Sequence, residues 1–235
     1  MSFTLGCDPE LICFRNGAFT PARNYFKFNS SFGLDGCDSV AECRPGYSES
    51  PIDLTAKLKT ILEYGHEKAP DLEFYSGHYQ GDYAIGGHIH VATIPTPEVI
   101  DALDTVLYSL SNCIDDKGQR NKREKTGYGK RKAFRKKEYG FEFRTPGSWL
   151  LSPATTLVTF TLTKLAILGV LEDNLNFSQI KQHQHSNTFL KNLKNVLVSI
   201  PDDCREGLKE LDLLLERSLN WNKNILPNWG ITGEA

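Results

Sequence analysis

The chain switches between two hydrophobic periods. Over the first 45 residues apolar and polar positions alternate in short stretches, which predicts strands at 3–5, 11–15 and 39–44. Asn16-Gly17 and Asp35-Gly36 are the turn signals between them. A helical period follows over 51–68. Ser50 suits the N-cap, Pro51 the first helical position, and Leu54, Leu58, Ile61 and Leu62 form one stripe. Alternation returns at 72–75 and 87–93. A second helix is predicted at 97–114, capped by Thr96, with Val99, Leu103, Val106, Leu107 and Leu110 inward. Residues 139–144 read as a strand. From Ser152-Pro153 to Leu171 the chain is apolar on most sides but threaded with threonines, which fits a buried core helix. Further helices are predicted near 187–199 and 203–219, broken at Pro201. The pattern predicts an α+β fold. An antiparallel sheet is built from residues 1–150, helices pack on one face, and a helical part at 151–235 belongs to the same single domain.

Composition adds one surprise. The 27 basic and 29 acidic side chains give a net charge of −2, but the charge is not spread evenly. Residues 117–137 hold 11 of the basic side chains and a single acid, Glu124, while residues 1–116 hold 7 basic and 17 acidic ones. No apolar run of ~20 residues is free of polar interruption, so a membrane span is not expected. Nothing in MSFTLGCDPE has the form of a signal peptide, and a cytoplasmic location is the expectation. The six cysteines contain no C-x-x-C pair and are expected to be free thiols.

Residues two apart on a strand share a face. That spacing recurs at Asp8/Glu10, at Asp38/Glu42/Arg44 (with Val40 between), at His88/His90 and at Glu142/Arg144. Each pair alone is what any half-exposed sheet shows. If the strands are neighbours, Asp8, Glu10, Glu42 and Glu142 share one surface. Clustered carboxylates repel unless cations compensate. Oxygen-rich ligation with one imidazole suits Mg²⁺ or Mn²⁺ better than zinc. Arg44 and Arg144 beside such metals give the combination that phosphoryl chemistry needs.

With those motifs in order, residues 5–150 resemble the phage- and bacteria-associated carboxylate–amine ligases, the amidoligases of the glutamine-synthetase and glutamate–cysteine-ligase superfamily. The resemblance rests on Gly6-Cys7-Asp8-Pro9-Glu10, Gly33-Leu34-Asp35-Gly36 with Glu42-Cys43-Arg44-Pro45, Gly86-Gly87-His88-Ile89-His90-Val91, and Tyr139-Gly140-Phe141-Glu142-Phe143-Arg144-Thr145-Pro146. It implies a curved antiparallel sheet with helices on the convex face. It also implies metal ligation by Asp8, Glu10, Glu42, His88 and Glu142, with His90 and Asp38 as second choices. The implied reaction is ATP-dependent. ATP phosphorylates a carboxylate and an amine displaces phosphate, with Arg44, Arg135 and Arg144 stabilising the transferring group. Partners would be small-molecule or peptide carboxylates and amines, or a protein substrate, with no membrane involved. The acceptor is expected near loops 14–35 and 75–86.

The basic segment has three readings: a loop closing over ATP, a plain solvated loop, or a nucleic-acid site stacking bases on Tyr128 and Phe134. Under the first, which its position favours, Arg120, Arg123, Arg131, Arg135 and Arg144 contact ATP phosphates and the basic charge lies beside the acidic face. The other classes kept open are a non-catalytic nucleic-acid-binding protein and a metal-dependent hydrolase using the same carboxylates. His183 and His185 are expected to be surface residues. Trp149, Trp221 and Trp229 are expected to anchor the core or the tail.

Overall fold

A computed structural model describes residues 2–172, 190 and 200–232. The predicted helix near 187–199, Leu190 apart, lies outside the described residues, as do His183 and His185. The first strand, β1, runs unbroken over Leu5–Arg15. Separate strands at 3–5 and 11–15 were expected there. The strand passes through because Glu10 N–H bonds the Gly86 carbonyl at 2.9 Å and Pro9 has no N–H left unpaired. β1 is the spine of the sheet. It pairs along its length with β2 (Ala18–Thr20), β4 (Ala41–Cys43), β5 (Tyr47–Ser48), β6 (Glu73–Tyr75) and β9 (Gly87–Val91), all antiparallel. With β3 (Phe32–Leu34), β10 (Phe134–Lys137) and β11 (Gly140–Phe143), the long path through the sheet is β10-β11-β9-β1-β4-β3. A separate hairpin joins β7 (Tyr79–Gln80) to β8 (Tyr83–Ala84).

The helices start where their caps place them. α1 (Pro51–Lys68), α2 (Pro97–Ile114) and α4 (Pro153–Leu171) begin after Ser50, Thr96 and Ser152. Each cap accepts a bond from a backbone N–H in the first turn. α5 covers Arg205–Leu214, shorter than the predicted 203–219. Leu54, Leu58 and Leu62 of α1, Leu103 and Val106 of α2, and Phe160 and Leu162 of α4 join one core with Leu5, Leu11, Ile89, Val91, Phe141 and Phe143 of the sheet. Helices therefore cover one sheet face. Among the described residues α4 is the one helix long and apolar enough to cross a membrane, and most of it is buried in this core. Thr159 and Thr163 satisfy their hydroxyls on carbonyls one turn back at 2.8 Å, which lets threonine sit in an apolar helix. The three tryptophans are buried, and their indole N–H groups bond the carbonyls of Gly87, Ile114 and Leu150. All six cysteines are unpaired.

Two expectations need correction. The strand expected at 39–44 shrinks to β4, because Asp35 accepts the Cys37 N–H at 3.2 Å and Val40 N–H bonds the Cys37 carbonyl, making a turn. Asp38 therefore leaves the sheet face. It pairs at the surface with Arg23 at 2.9 Å and does not line the cavity beside the other acids. The basic segment is likewise not one loop. It opens with α3 (Lys117–Lys125), capped by Asp116, and closes with β10. α3 carries no apolar stripe, so periodicity could not reveal it.

Candidate functional site

The uncovered face of the sheet collects the acids and histidines by register alone. Asp8 pairs with His88, Glu10 with Glu42, Glu142 with His90, and Arg135 with Glu142. Opposite residues share a face, so all these side chains emerge on one side while Cys7, Leu11, Ile89, Phe141 and Phe143 enter the core on the other. Gly87 lets β9 sit this close: a Cβ there would run into the Gly147 carbonyl and the Trp149 indole. All of the emerging side chains but His90 border a cavity of about 550 Å³.

Asp8 sits at the centre. Its carboxylate lies 3.3 Å from His88 Nδ1 and 3.0 Å from His90 Nε2. His88 Nδ1 is also 3.6 Å from Glu142. One donor atom each from Asp8, His88 and Glu142 fall within 4.8 Å of one another. Asp8 Oδ1 is buried and has no hydrogen bond. These donors fit a hard divalent cation: two carboxylates, one imidazole and a buried oxygen without a donor. Tyr128, from the turn after α3, donates its hydroxyl to Glu10 Oε1 at 2.7 Å and lies 2.8 Å from His88 Nε2. Gly86 N–H donates to the other Glu10 oxygen at 2.7 Å. Tyr139 holds His90 Nδ1 at 2.9 Å.

The cations gather on one side. Arg144 pairs directly with Glu142, Lys137 approaches it to 3.1 Å and Arg135 to 3.6 Å. Burial and the charge of Asp8 would raise the Glu142 carboxyl, but Lys137, Arg144 and His88 outweigh them and hold it below the usual range. Burial likewise opposes ionisation of Asp8, and the closeness of the His88 and His90 imidazoles overcomes it, so Asp8 is well lowered. Glu10 goes the other way: burial raises it despite His88 and Tyr128. Glu42 is pushed up to about 9 by burial and by the charges of Asp8 and Asp35, against the pull of Arg44.

Glu42 sets a pH dependence. Below its ordinary value of 4.5 the carboxyl is protonated in both folded and unfolded chains. Between 4.5 and about 9 the unfolded chain gives up the proton and the folded one keeps it. Stability present at acid pH is therefore lost as pH rises through that window. Glu42→Gln should flatten this fall in metal-free protein. Thermal unfolding at pH 5 and pH 8.5 checks it: the variant's advantage should grow with pH, and an unchanged slope would mean Glu42 is ionised against Arg44.

The structure thus brings together Asp8, Glu10, Glu42, His88, His90, Glu142, Arg135 and Arg144. Arg44 reaches the site only indirectly. Its guanidinium braces Glu42 at 2.7 Å and donates to the Ser30 and Leu34 carbonyls, without lining the cavity. Arg120, Arg123 and Arg131 are not beside the carboxylates. Arg123 is buried and donates to the carbonyls of Arg144, Thr145 and Pro146. Arg131 pairs with the buried Asp104, and Arg120 sits over Tyr108. These three border a different cavity of about 290 Å³, on the other side of Tyr128. The expectation that most of the basic charge faces the acids therefore holds only for β10. Tyr128, offered as a base-stacking platform, is instead committed to Glu10 and His88. Sequence reasoning singled out Tyr128 only as a stacking or loop residue, not as the partner of Glu10 and His88, and missed Asp35 and Lys137 as site residues. Lys137 could have been found, since it shares the alternation of Arg135; Tyr128 could not, because no spacing links it to β1.

The sheet face gathers two carboxylates and an imidazole that could hold a divalent cation, beside a row of guanidinium and ammonium groups suited to anionic ligands. The family follows from comparison: the model of the phage phiEco32-like COOH·NH2 ligases, type 2, matches residues 5–225, and the chain belongs to this family of carboxylate–amine ligases. Among solved structures the chain is similar to one described as a novel glutamine synthase homolog, at 15% identity and a TM-score of 0.47. That similarity covers 92% of this chain and 65% of the other, so the chain spans just under two thirds of that protein's length. None of the curated proteins matches it.

Proposed function

We propose that this protein is an ATP-dependent ligase that joins a carboxylate to an amine through an acyl phosphate. The observation that carries the reading is the Asp8–His88–Glu142 cluster flanked by Arg144, Lys137 and Arg135. Asp8, His88 and Glu142 would hold Mg²⁺ or Mn²⁺, with Glu10 and Glu42 adjacent. Such an ion, when bound, neutralises phosphate charge. A substrate carboxylate oxygen attacks the γ-phosphorus of ATP and ADP leaves. The amine nitrogen then attacks the acyl carbon, phosphate departs with the carbon–oxygen electron pair, and the amine proton is lost.

The protein's own side chains act by charge and position. Arg144 is drawn toward the site by Glu142, and Arg135 and Lys137 reach it from the neighbouring strand, so three fixed cations face the developing phosphoryl charge. Tyr128 holds Glu10 and His88 in place. No nucleophilic side chain is required. The carboxylate and amine would be small molecules, peptide termini or protein side chains, and the reaction would run in the cytoplasm, where ATP is available.

Two measurements test this. Mg²⁺ with ATP at about 100 times its dissociation constant should stabilise the protein by about 2.7 kcal/mol. ADP release should depend on both an added carboxylate and an added amine. Turnover of a substrate bond without ATP would instead make the site a metal-dependent hydrolase.

A further inference from the structure

A second cavity, of about 420 Å³, opens on the same sheet face beyond Asp8. It arises from the alternation of β1. Gly6, Asp8 and Glu10 share that face, and Gly6 brings no side chain. Gly6 pairs with His90 of β9 on one flank and with Tyr47 of β5 on the other. Tyr47 and His90 therefore border a bare strip of backbone. Tyr139 closes the far side, stacked on His90 with ring centroids 5.8 Å apart and 19° between planes. A Cβ on Gly6 would lie 2.8 Å from the Gly46 carbonyl and 3.5 Å from the His90 Cβ. Any larger residue would collide with Gly46 and fill the cavity floor.

The two cavities on this face differ in charge. The first is bordered by Arg135, Lys137 and Arg144 and suits anionic groups. The second has no lysine or arginine among its lining residues. It offers two tyrosine rings and an imidazole whose Nε2 lies 3.0 Å from Asp8. Tyrosine faces attract cations, the Asp8 carboxylate lies across His90, and the Lys57 ammonium, which donates to the Tyr47 carbonyl at 3.0 Å, is paired with Asp53 at 2.8 Å. Tyr47 is 73% exposed and Tyr139 48%, so both rings stand at the cavity mouth and not in the core. A cavity of about 420 Å³ is far larger than a molecule the size of water or ammonia needs.

We propose that this cavity takes the amine substrate, and that the substrate is a primary amine carried on a carbon skeleton. The proposal rests on the ligase reading and deepens it: the anionic partner is received beside Arg144, and the amine enters from the opposite side of Asp8, past Tyr47 and Tyr139.

Ligand-observed NMR tests this directly, with benzylammonium as the probe and benzyl alcohol and benzoate as neutral and anionic isosteres, each with and without Mg²⁺ and ATP. Benzylammonium should bind at least about fivefold more tightly than benzyl alcohol. Tyr47→Ala, a change at an exposed position, should remove most of that preference, while Arg144→Gln should keep it. Tyr139→Phe should keep the preference and Tyr139→Ala should lose it. Ammonium chloride should not displace the probe at equal concentration. The proposal is overturned if benzylammonium binds no better than benzyl alcohol in either condition, if Tyr47→Ala leaves the preference intact, or if ammonium competes equally. These outcomes are separable from failure of the ligase reading. ADP release that needs an amine, with no amine binding at Tyr47, sinks the pocket alone.

Discussion

Asp8→Asn is expected to weaken Mn²⁺ binding by about 100-fold or more and to cut amide formation by at least about 10²-fold. Asp8 is the one carboxylate in contact with both histidines, and its Oδ1 is buried without a hydrogen bond. Asparagine keeps the shape but removes the charge and places an N–H₂ group against the imidazoles. Calorimetric Mn²⁺ titration with circular dichroism as the folding control measures the first effect, and ADP release measures the second. A variant that binds Mn²⁺ as the parent does would remove Asp8 from the ligand set and leave Glu142 and His88 to explain the cluster. His90, 26% exposed at its side chain and held by Tyr139, should be far less sensitive than His88, which is 4% exposed and lies between Asp8, Glu10 and Glu142.

The largest effect on stability is expected at Arg123. Its Nη1 donates to the Thr145 carbonyl at 2.7 Å and its Nη2 to the Pro146 carbonyl at 2.9 Å, with a longer contact to Arg144. The guanidinium also lies 4.8 Å from the centre of the Tyr128 ring. Burial pulls its pKa down to about 10, still well above neutrality, so it remains charged. Gly129 has φ +65°, and a Cβ there would strike the Arg123 guanidinium, so the turn carrying Tyr128 is moulded around this one side chain. Arg123→Ala takes the donor from the buried Thr145 carbonyl, leaves the Pro146 carbonyl with Gly87 N–H alone, and frees Tyr128 from its support. A cost of about 3–5 kcal/mol follows, or roughly 6–20 °C in Tm for a chain of this size. Arg123→Lys keeps the charge but loses the fork, and should fall between. Thermal unfolding of both variants checks this; a loss under about 1 kcal/mol for Arg123→Ala would mean the carbonyls find water instead. The residue expected to touch phosphate is thus a clamp that positions the tyrosine on the acids.

The cap and stripe signals placed α1 and α2 correctly because each helix carries its own start signal and its own apolar face. The strand pairs Asp8/Glu10, His88/His90 and Glu142/Arg144 were legible for a similar reason. Alternation is a local property, and it fixes which residues share a face before the neighbours are known. The turn at Asp35-Gly36 was legible but its reach to Val40 was not, because that depends on the Asp35 side chain accepting from Cys37 N–H and on Val40 N–H bonding the Cys37 carbonyl. α3 was not legible because its nine residues carry no apolar stripe and are held by Asp116 and by Gln119, which accepts from His78 N–H at 3.0 Å.

The charge of residues 117–137 shows the same division. The sequence determined that this segment is basic and that its last residues run into the strand carrying Glu142. It pointed Arg135 toward the acids but could not say where the other cations go. Only the tertiary structure turned Lys137 toward the acids, tied Arg131 to Asp104, and sank Arg123 beneath Tyr128. The physical reason is that register along a strand is written in its own alternation. The partner of a long flexible cation depends on which buried carboxylate or carbonyl the completed fold leaves unsatisfied.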